Sequence, residues 1–571
     1  MIADRTPSTD STLETDVLVI GSGAAGLTAA LTARLNGLSV TIAEKEPVFG
    51  GTTAWSGGVA WIPLNRHARA AGIADTRELA RAYIQAGAGD HFDAARVDAF
   101  LDHGPAAVDF LESRTEARFE LAAEPDYQQG LPGALPHGRA LRPVEYDARR
   151  LGAHAGALRP PARERVLFGG LQIGAEHLAH FLNATRSPRS AWFVARRILG
   201  HLRDLATHGR GMRPATGNAL VARLATSAFE AGIPILLSTP AHELIVEGAG
   251  VVGALLKGSH GTVRVTARLG VVLACGGFPQ DHARRQRVYP HRPSPDEHLS
   301  NAIAGATGDG IGLAECVGGA FEDGLPNPAI WYPTSRVAYP DGSVGHLAHL
   351  LERGKPGVIA VTPDGMRFAN EALNYHTFVQ ALLATRRDGR AALAYYVCDH
   401  RALRRYGLGA ARPWPLPFRR YLRTGYLKRG RNLRELAAAA GIDVTGLDRT
   451  VAAYNAGARA GRDPEFGKGE NAYDRSQGDP RWQPNPCVGP LDRPPFYAVE
   501  IRPGDLGTFA GLGTDAAARV LDRTGAPIPG LFAVGNDQAS VFGGAYPGGG
   551  ATIGPGLTFA YIAGRTLAGA N

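Results

Sequence analysis

One short stretch constrains this chain more than any other: an apolar strand that runs straight into a glycine turn. Asp16-Val17-Leu18-Val19-Ile20 is β-branched and apolar after its first residue, the pattern of a strand buried on both faces. Gly21-Ser22-Gly23-Ala24-Ala25-Gly26 follows at once. Ala24 to Asn36 is rich in Ala and Leu and halts at Gly37, as a helix does. Ser39-Val40-Thr41-Ile42-Ala43 is the next strand, and Glu44 closes it. The whole is one βαβ unit. In such a unit Gly21 makes the tight turn, Gly23 lets a pyrophosphate approach the backbone, and Gly26 lets the helix pack on its strand. The free N–H groups around Ala24 and Ala25 and the positive end of the helix dipole favour phosphate. Glu44 can accept from ribose hydroxyls, and Lys45 beside it belongs to the same expected contact set. The pattern by itself says dinucleotide and no more.

The chain has 571 residues, which fits two or three domains with a sizeable core. Glycine is in excess, at 74 residues, and clusters at 21–26, 50–58, 276–277, 305–319 and 543–556, where backbone is expected close to a ligand. The net charge of +8 admits an anionic partner, but no helix-turn-helix, zinc finger or RNA-binding signature is present, so no nucleic-acid partner is expected. Cys275, Cys316, Cys398 and Cys487 form no CxxC pair, which argues against zinc ribbons and iron–sulfur clusters; no metal site is expected. Residues 1–12 read as a polar tail without a secretory signal, and no apolar run approaches a membrane span, so a cytoplasmic protein is expected.

The organisation follows from where the strand–glycine–helix pattern appears. Residues 13–330 read as a dinucleotide-binding domain. Within it, 66–118 is mainly helical, 119–165 is loop, and 186–213 is a basic helical insertion. A strand is expected at 233–237, a hairpin through 244–267, and another strand from Gly270 to Ala274. Residues 331–498, richer in Pro, Arg and aromatics, read as an inserted domain, and 499–571 returns to the first pattern. The expected fold class is α/β: a Rossmann-like domain with a parallel sheet, interrupted by an insertion.

The far end of the chain decides between NAD and FAD. Gly530 to Asp537 is a strand ending in Gly535 and Asn536. Pro547-Gly548-Gly549-Gly550-Ala551-Thr552-Ile553 then opens a second helix, whose N-terminus can face the flavin edge that becomes negative on reduction. The loop Gly50 to Gly58, with Gly51, Thr52, Thr53, Ser56, Gly57 and Gly58, would bring backbone and small hydroxyls to an isoalloxazine. A nicotinamide needs no such cradle, so FAD is expected. On these motifs, and on Gly217-Asn218, Ala274-Cys275-Gly276 and Gly308-Asp309-Gly310, the chain resembles the flavoprotein family that holds fumarate reductases and 3-ketosteroid Δ1-dehydrogenases. The resemblance implies a glutathione-reductase-like form for the first domain and the role of an α+β catalytic cap for the insertion. It adds Ala274, Gly276, Asp309, Gly549, Ala551, Thr552 and Ile553 to the cofactor set. It implies non-covalent FAD, because Thr52-Thr53 stand where relatives carry a flavin-linked histidine.

The same resemblance bears on the substrate. Tyr375, Tyr546 and Gly507 stand where fumarate reductases use two arginines and a histidine on a dicarboxylate, and a carboxylate buried without a cation is costly. It implies instead a lipophilic ketone, a steroid above all. Tyr546 and the Gly550 N–H would hold the C3 carbonyl as an oxyanion hole, Tyr375 would take the C2 proton, Tyr127 would assist it, and an external acceptor would reoxidise the flavin. Rival readings are a relative acting on another ring bond or cyclic enone, a carboxylate reductase, and a non-enzymatic flavin-binding membrane sensor. The basic, aromatic stretches 186–213 and 401–434 suit peripheral association with the inner face of a membrane, or solvated rims on core helices.

Overall fold

The computed structural model describes residues 11–258, 261–387 and 390–570. β1 (Ser11–Ile20), α1 (Ala24–Leu35) and β2 (Val40–Ala43) form the opening unit. β1 pairs in parallel with β2, from Val17 on Val40 to Ile20 on Ala43. On its other side lies the strand Gly261–Leu273, also parallel, and beyond that Pro527–Ala533. Val17, Leu18 and Val19 are fully buried, as strands covered on both faces must be. The chain's two ends therefore meet across one sheet. The helix Ile553–Leu567 packs directly on α1. An antiparallel pair, Ala241–Glu247 and Gly250–Gly258, extends from Gly261–Leu273 and fills the place expected of a hairpin.

A second, seven-stranded sheet builds the cap. Its spine is Phe496–Thr508, flanked by Ala329–Ala338 and Ala394–Asp399, all antiparallel. Leu299–Ser300 joins the spine in parallel. These strands cross the expected boundaries at 331 and 498. Composition marks a change in surface chemistry, whereas a strand runs as far as its backbone finds partners.

Other segments differ from the sequence reading. Most of the expected tail lies outside the described residues, but Ser11 and Thr12 pair with Val263 and Arg264 as the first rungs of β1. The expected strand at 233–237 pairs only over Ile235–Leu236. The expected loop 119–165 holds two short strands, Phe119–Leu121 and Ala140–Pro143. Residues 186–213 form one helix, Pro188–His208, capped by the Ser187 side chain and closed by left-handed Gly209. This helix is inverted: Ser190, His201 and Asp204 face inward, while Trp192 and Leu199 are 72% and 66% exposed. The stretch 401–434 behaves in the opposite way. Phe418, Tyr421 and Tyr426 pack on the core, and Trp414 is exposed under the Arg404 guanidinium.

Candidate functional site

A cavity of about 600 Å³ opens where the parallel strands end, lined by Ile20, Ala43, Ala274 and Val534, and runs under the cap sheet to Tyr332 and Leu506. A crevice outside the carboxyl ends of parallel strands is where such folds bind ligands. Gly21 makes this end possible. Its φ is +109°, and a β-carbon there would stand 2.2 Å from the Ala274 carbonyl oxygen. Gly23 caps α1, whose first N–H groups face the cavity beside Ala24 and Ala25. Gly26 does not line the cavity. A β-carbon on it would strike the Gly21 carbonyl oxygen at 2.0 Å, so it serves the close packing of helix on turn.

Glu44 lies at the end of β2. Its Oε2 accepts from the Ser22 N–H at 3.1 Å and the Ser22 hydroxyl at 2.5 Å, so one carboxylate oxygen braces the glycine turn. Lys45 reaches Asp309 at 2.5 Å, and both line the cavity wall. Gly51, Thr52, Thr53, Ser56, Gly57 and Gly58 line the next section. Thr53 Oγ1 accepts from the Ala24 N–H at 3.2 Å, and Ser56 Oγ accepts from the Gly58 N–H at 2.9 Å, so the loop is tied to α1 and to itself.

The C-terminal part closes the opposite wall. Gly276, Gly535, Asn536, Gly549, Thr552 and Ile553 line the cavity, and Ala551 is buried behind them. Asp537 accepts from the Cys275 and Gly277 N–H groups at 2.5 and 2.9 Å, which locks the turn at Gly276. Burial pushes its carboxyl up to about 6, against those two hydrogen bonds.

Beyond this wall the cavity is aromatic. The Tyr375 hydroxyl donates to the Tyr546 hydroxyl at 2.8 Å. Tyr127 packs edge-on against Tyr375, with ring centres 5.5 Å apart, and lies as close to Tyr546. Tyr375 is the first residue of the helix Tyr375–Ala384, whose cap, Asn374, accepts from the Thr377 N–H. Burial is the dominant cause of each tyrosine's shift. It raises Tyr127 and Tyr375 well above the ordinary phenol value, and Tyr546 to about 12, where the Tyr375 hydroxyl and the Gly550 N–H pull back. Gly550 has φ +94°, and a β-carbon there would lie 2.3 Å from the Val59 carbonyl oxygen, so only glycine brings its N–H here.

The family model described as an FAD binding domain matches residues 16–553. The chain belongs to this family. The flavoprotein is 41% identical to 4-oxocyclohex-2-ene-1-carboxylate 5-dehydrogenase of Sinomonas cyclohexanicum, over 99% of this chain and 95% of that one. It is 37% identical to 3-oxosteroid 1-dehydrogenase of Mycobacterium tuberculosis, over 97% and 98%. Among solved structures, 3-ketosteroid Δ1-dehydrogenase from Sterolibacterium denitrificans in complex with 1,4-androstadiene-3,17-dione matches with a TM-score of 0.90 and 36% identity, covering 98% of this chain and all of that one. The cofactor is FAD, and the protein is an FAD-dependent oxidoreductase acting on CH–CH bonds. The cavity suits that group: two helix N-termini and a run of glycines face it, an arrangement that accepts pyrophosphate and a flavin edge without side-chain bulk.

Sequence reasoning missed several residues of this site. The Tyr332 ring lies tilted against Tyr375, with centres 4.2 Å apart, and Tyr473 meets Tyr127 edge-on at 4.9 Å; both line the cavity. Glu124, Arg165 and Lys355 line it too. None of them adjoins a glycine motif, so no local signal marks them. Gly507, which the sequence comparison set against a substrate histidine, does not line the cavity; a β-carbon on it would meet Asn536 Nδ2 at 2.3 Å. Elsewhere Glu145, Glu176 and His177 come together, but both Glu145 oxygens accept from Arg197, at 2.6 and 2.7 Å.

Proposed function

We propose that the protein introduces a C1–C2 double bond into ring A of a 3-ketosteroid. The observation that carries this reading is the 2.8 Å contact between the Tyr375 and Tyr546 hydroxyls, with the Gly550 N–H beside Tyr546. In this reading Tyr546 and the Gly550 N–H hold the C3 carbonyl and stabilise the enolate as charge moves onto its oxygen. Tyr375 takes the C2 proton once the polarised ketone has acidified it. Tyr127 backs Tyr375 with its own hydroxyl. FAD, when bound non-covalently along the glycine wall, supplies the acceptor for the hydride from C1, and an external acceptor reoxidises it. Leu178, Leu350 and Leu351 line the cavity and offer a lipophilic substrate an apolar surface.

A second reading has one observation of its own. Arg165 lines the cavity and makes no ion pair among the described residues, which suits a cyclic enone bearing a carboxylate, as in the name of the Sinomonas relative. The two are separated by mixing purified, oxidised protein anaerobically with 4-androstene-3,17-dione or with 4-oxocyclohex-2-ene-1-carboxylate. Bleaching of the flavin by the steroid, with a 1,4-diene-3-one as product, supports the first. Bleaching by the carboxylate alone replaces it with the second. No described helix is long and apolar enough to cross a membrane. Delivery of a lipophilic substrate is supported by the outward Trp192 and Leu199 of Pro188–His208, among arginines, which suit contact with an anionic membrane surface.

A further inference from the structure

A phenol is a poor resting base, and here burial makes all three hydroxyls poorer still. A proton taken by Tyr375 needs somewhere to go. Glu124 stands where it could be received. A β-carbon built on Gly549 would lie 2.4 Å from Glu124 Oε2 and 3.2 Å from the Tyr127 hydroxyl, so both oxygens crowd the same spot on the cavity wall. Glu124 lines the cavity and makes no hydrogen bond or ion pair among the described residues. The cation that acts on it among the described residues, Arg142 on the strand Ala140–Pro143, is occupied by Glu120 at 2.8 Å.

Resting on the reaction proposed above, we propose that Glu124 is the terminal proton acceptor of the site, reached from the substrate through the Tyr375 and Tyr127 hydroxyls. The C–H bond beside the ketone breaks, and its electron pair becomes the enolate held by Tyr546 and Gly550. The proton bonds to the Tyr375 oxygen as the Tyr375 hydroxyl proton, turned from Tyr546 to Tyr127 once the ketone occupies Tyr546, passes to Tyr127 and that of Tyr127 to the Glu124 carboxylate. Both tyrosines end neutral, and Glu124 ends as a neutral acid that releases its proton through the cavity mouth. No tyrosinate has to persist in a buried site.

Four groups face Glu124: Arg142, Tyr127, Tyr546 across the cavity, and Tyr473 on the helix Ala472–Gln477. Glu124 is exposed on the open cavity wall; the protein packed around it raises its pKa, and Arg142 opposes that. As an acceptor Glu124 works ionised, so the rate falls as pH drops and the carboxylate is protonated.

The test is anaerobic reduction of the bound flavin by 4-androstene-3,17-dione across pH, in wild type, Glu124→Gln and Glu124→Asp. Glu124→Gln should bind FAD and substrate as wild type does, reduce its flavin on the order of 10²-fold more slowly, and lose the acid limb of the profile. Glu124→Asp should keep an acid limb, shifted to lower pH, and recover part of the rate. A Glu124→Gln protein that reduces its flavin at the wild-type rate with the wild-type pH profile overturns the relay and leaves the reaction standing. If Glu124→Gln does not fold, Glu124→Asp with an unshifted acid limb overturns it instead. A wild-type flavin bleached by neither the steroid nor 4-oxocyclohex-2-ene-1-carboxylate overturns the reaction and the relay together.

Discussion

Tyr546 meets the demands of the site at a single oxygen: it receives a hydrogen bond from Tyr375 and neighbours the Gly550 N–H, and burial holds it protonated up to about 12. A neutral donor in a dry pocket is what a developing enolate needs. Tyr546→Phe should keep FAD, visible by its absorbance, and slow steroid-driven flavin reduction on the order of 10²- to 10³-fold in stopped flow. A different residue illustrates stability without catalysis. Arg367 is 0% exposed and forms ion pairs with Glu371 at 2.9 Å and Asp463 at 2.8 Å, while Lys468 balances Glu371 at 3.1 Å. Arg367→Met leaves two buried carboxylates with one cation. It should cost about 3–5 kcal/mol in urea unfolding of the flavin-loaded protein.

At the scale of elements, the turn from Gly535 to Asp537 ties the C-terminal strand to the Cys275–Gly277 turn through a single carboxylate. That carboxyl titrates at about 6 when folded and at about 3.9 when unfolded. Its folded value is raised, so its stabilising contribution is complete below the unfolded value and is lost as pH rises through the folded one. Two units correspond to about 3 kcal/mol. The difference in unfolding free energy between wild type and Asp537→Asn should therefore move by about that amount between pH 3.5 and pH 7.5. The helix Pro188–His208 is an element of another kind, with Trp192, Leu199 and Leu202 turned outward. Trp192→Ser with Leu199→Ser should abolish co-sedimentation with anionic vesicles at low salt, and leave flavin reduction by dissolved steroid unchanged. Wild type that fails to sediment with such vesicles would remove the membrane reading.

At the scale of the whole molecule, the parts legible in the sequence are those with local causes. The turn at Gly21, the acid at Glu44 that closes the second strand and the helix start at Thr552 each follow from a few neighbouring residues, and from them come the fold class and FAD; the structure alone shows that Glu44 braces Ser22. The cap was legible as a change of composition but not as a sheet, because Phe496–Thr508 gathers its partners from Leu299 to Gly430 and no window of sequence contains them. Tyr375 and Tyr546 were reached through resemblance. Tyr332, Tyr473 and Glu124 were not reached at all, since a residue's membership of a cavity is fixed by packing and leaves no periodicity. The sequence alone thus determined that this chain builds a parallel sheet around a dinucleotide, since strand, turn and helix are decided by contacts a few residues apart. Only the tertiary structure decided that Tyr127, Tyr375 and Tyr546 share one buried space with an acid beside them. Burial, hydrogen bonding and the electrostatic cost of charge depend on what folding brings near, and here it brings together residues more than four hundred positions apart.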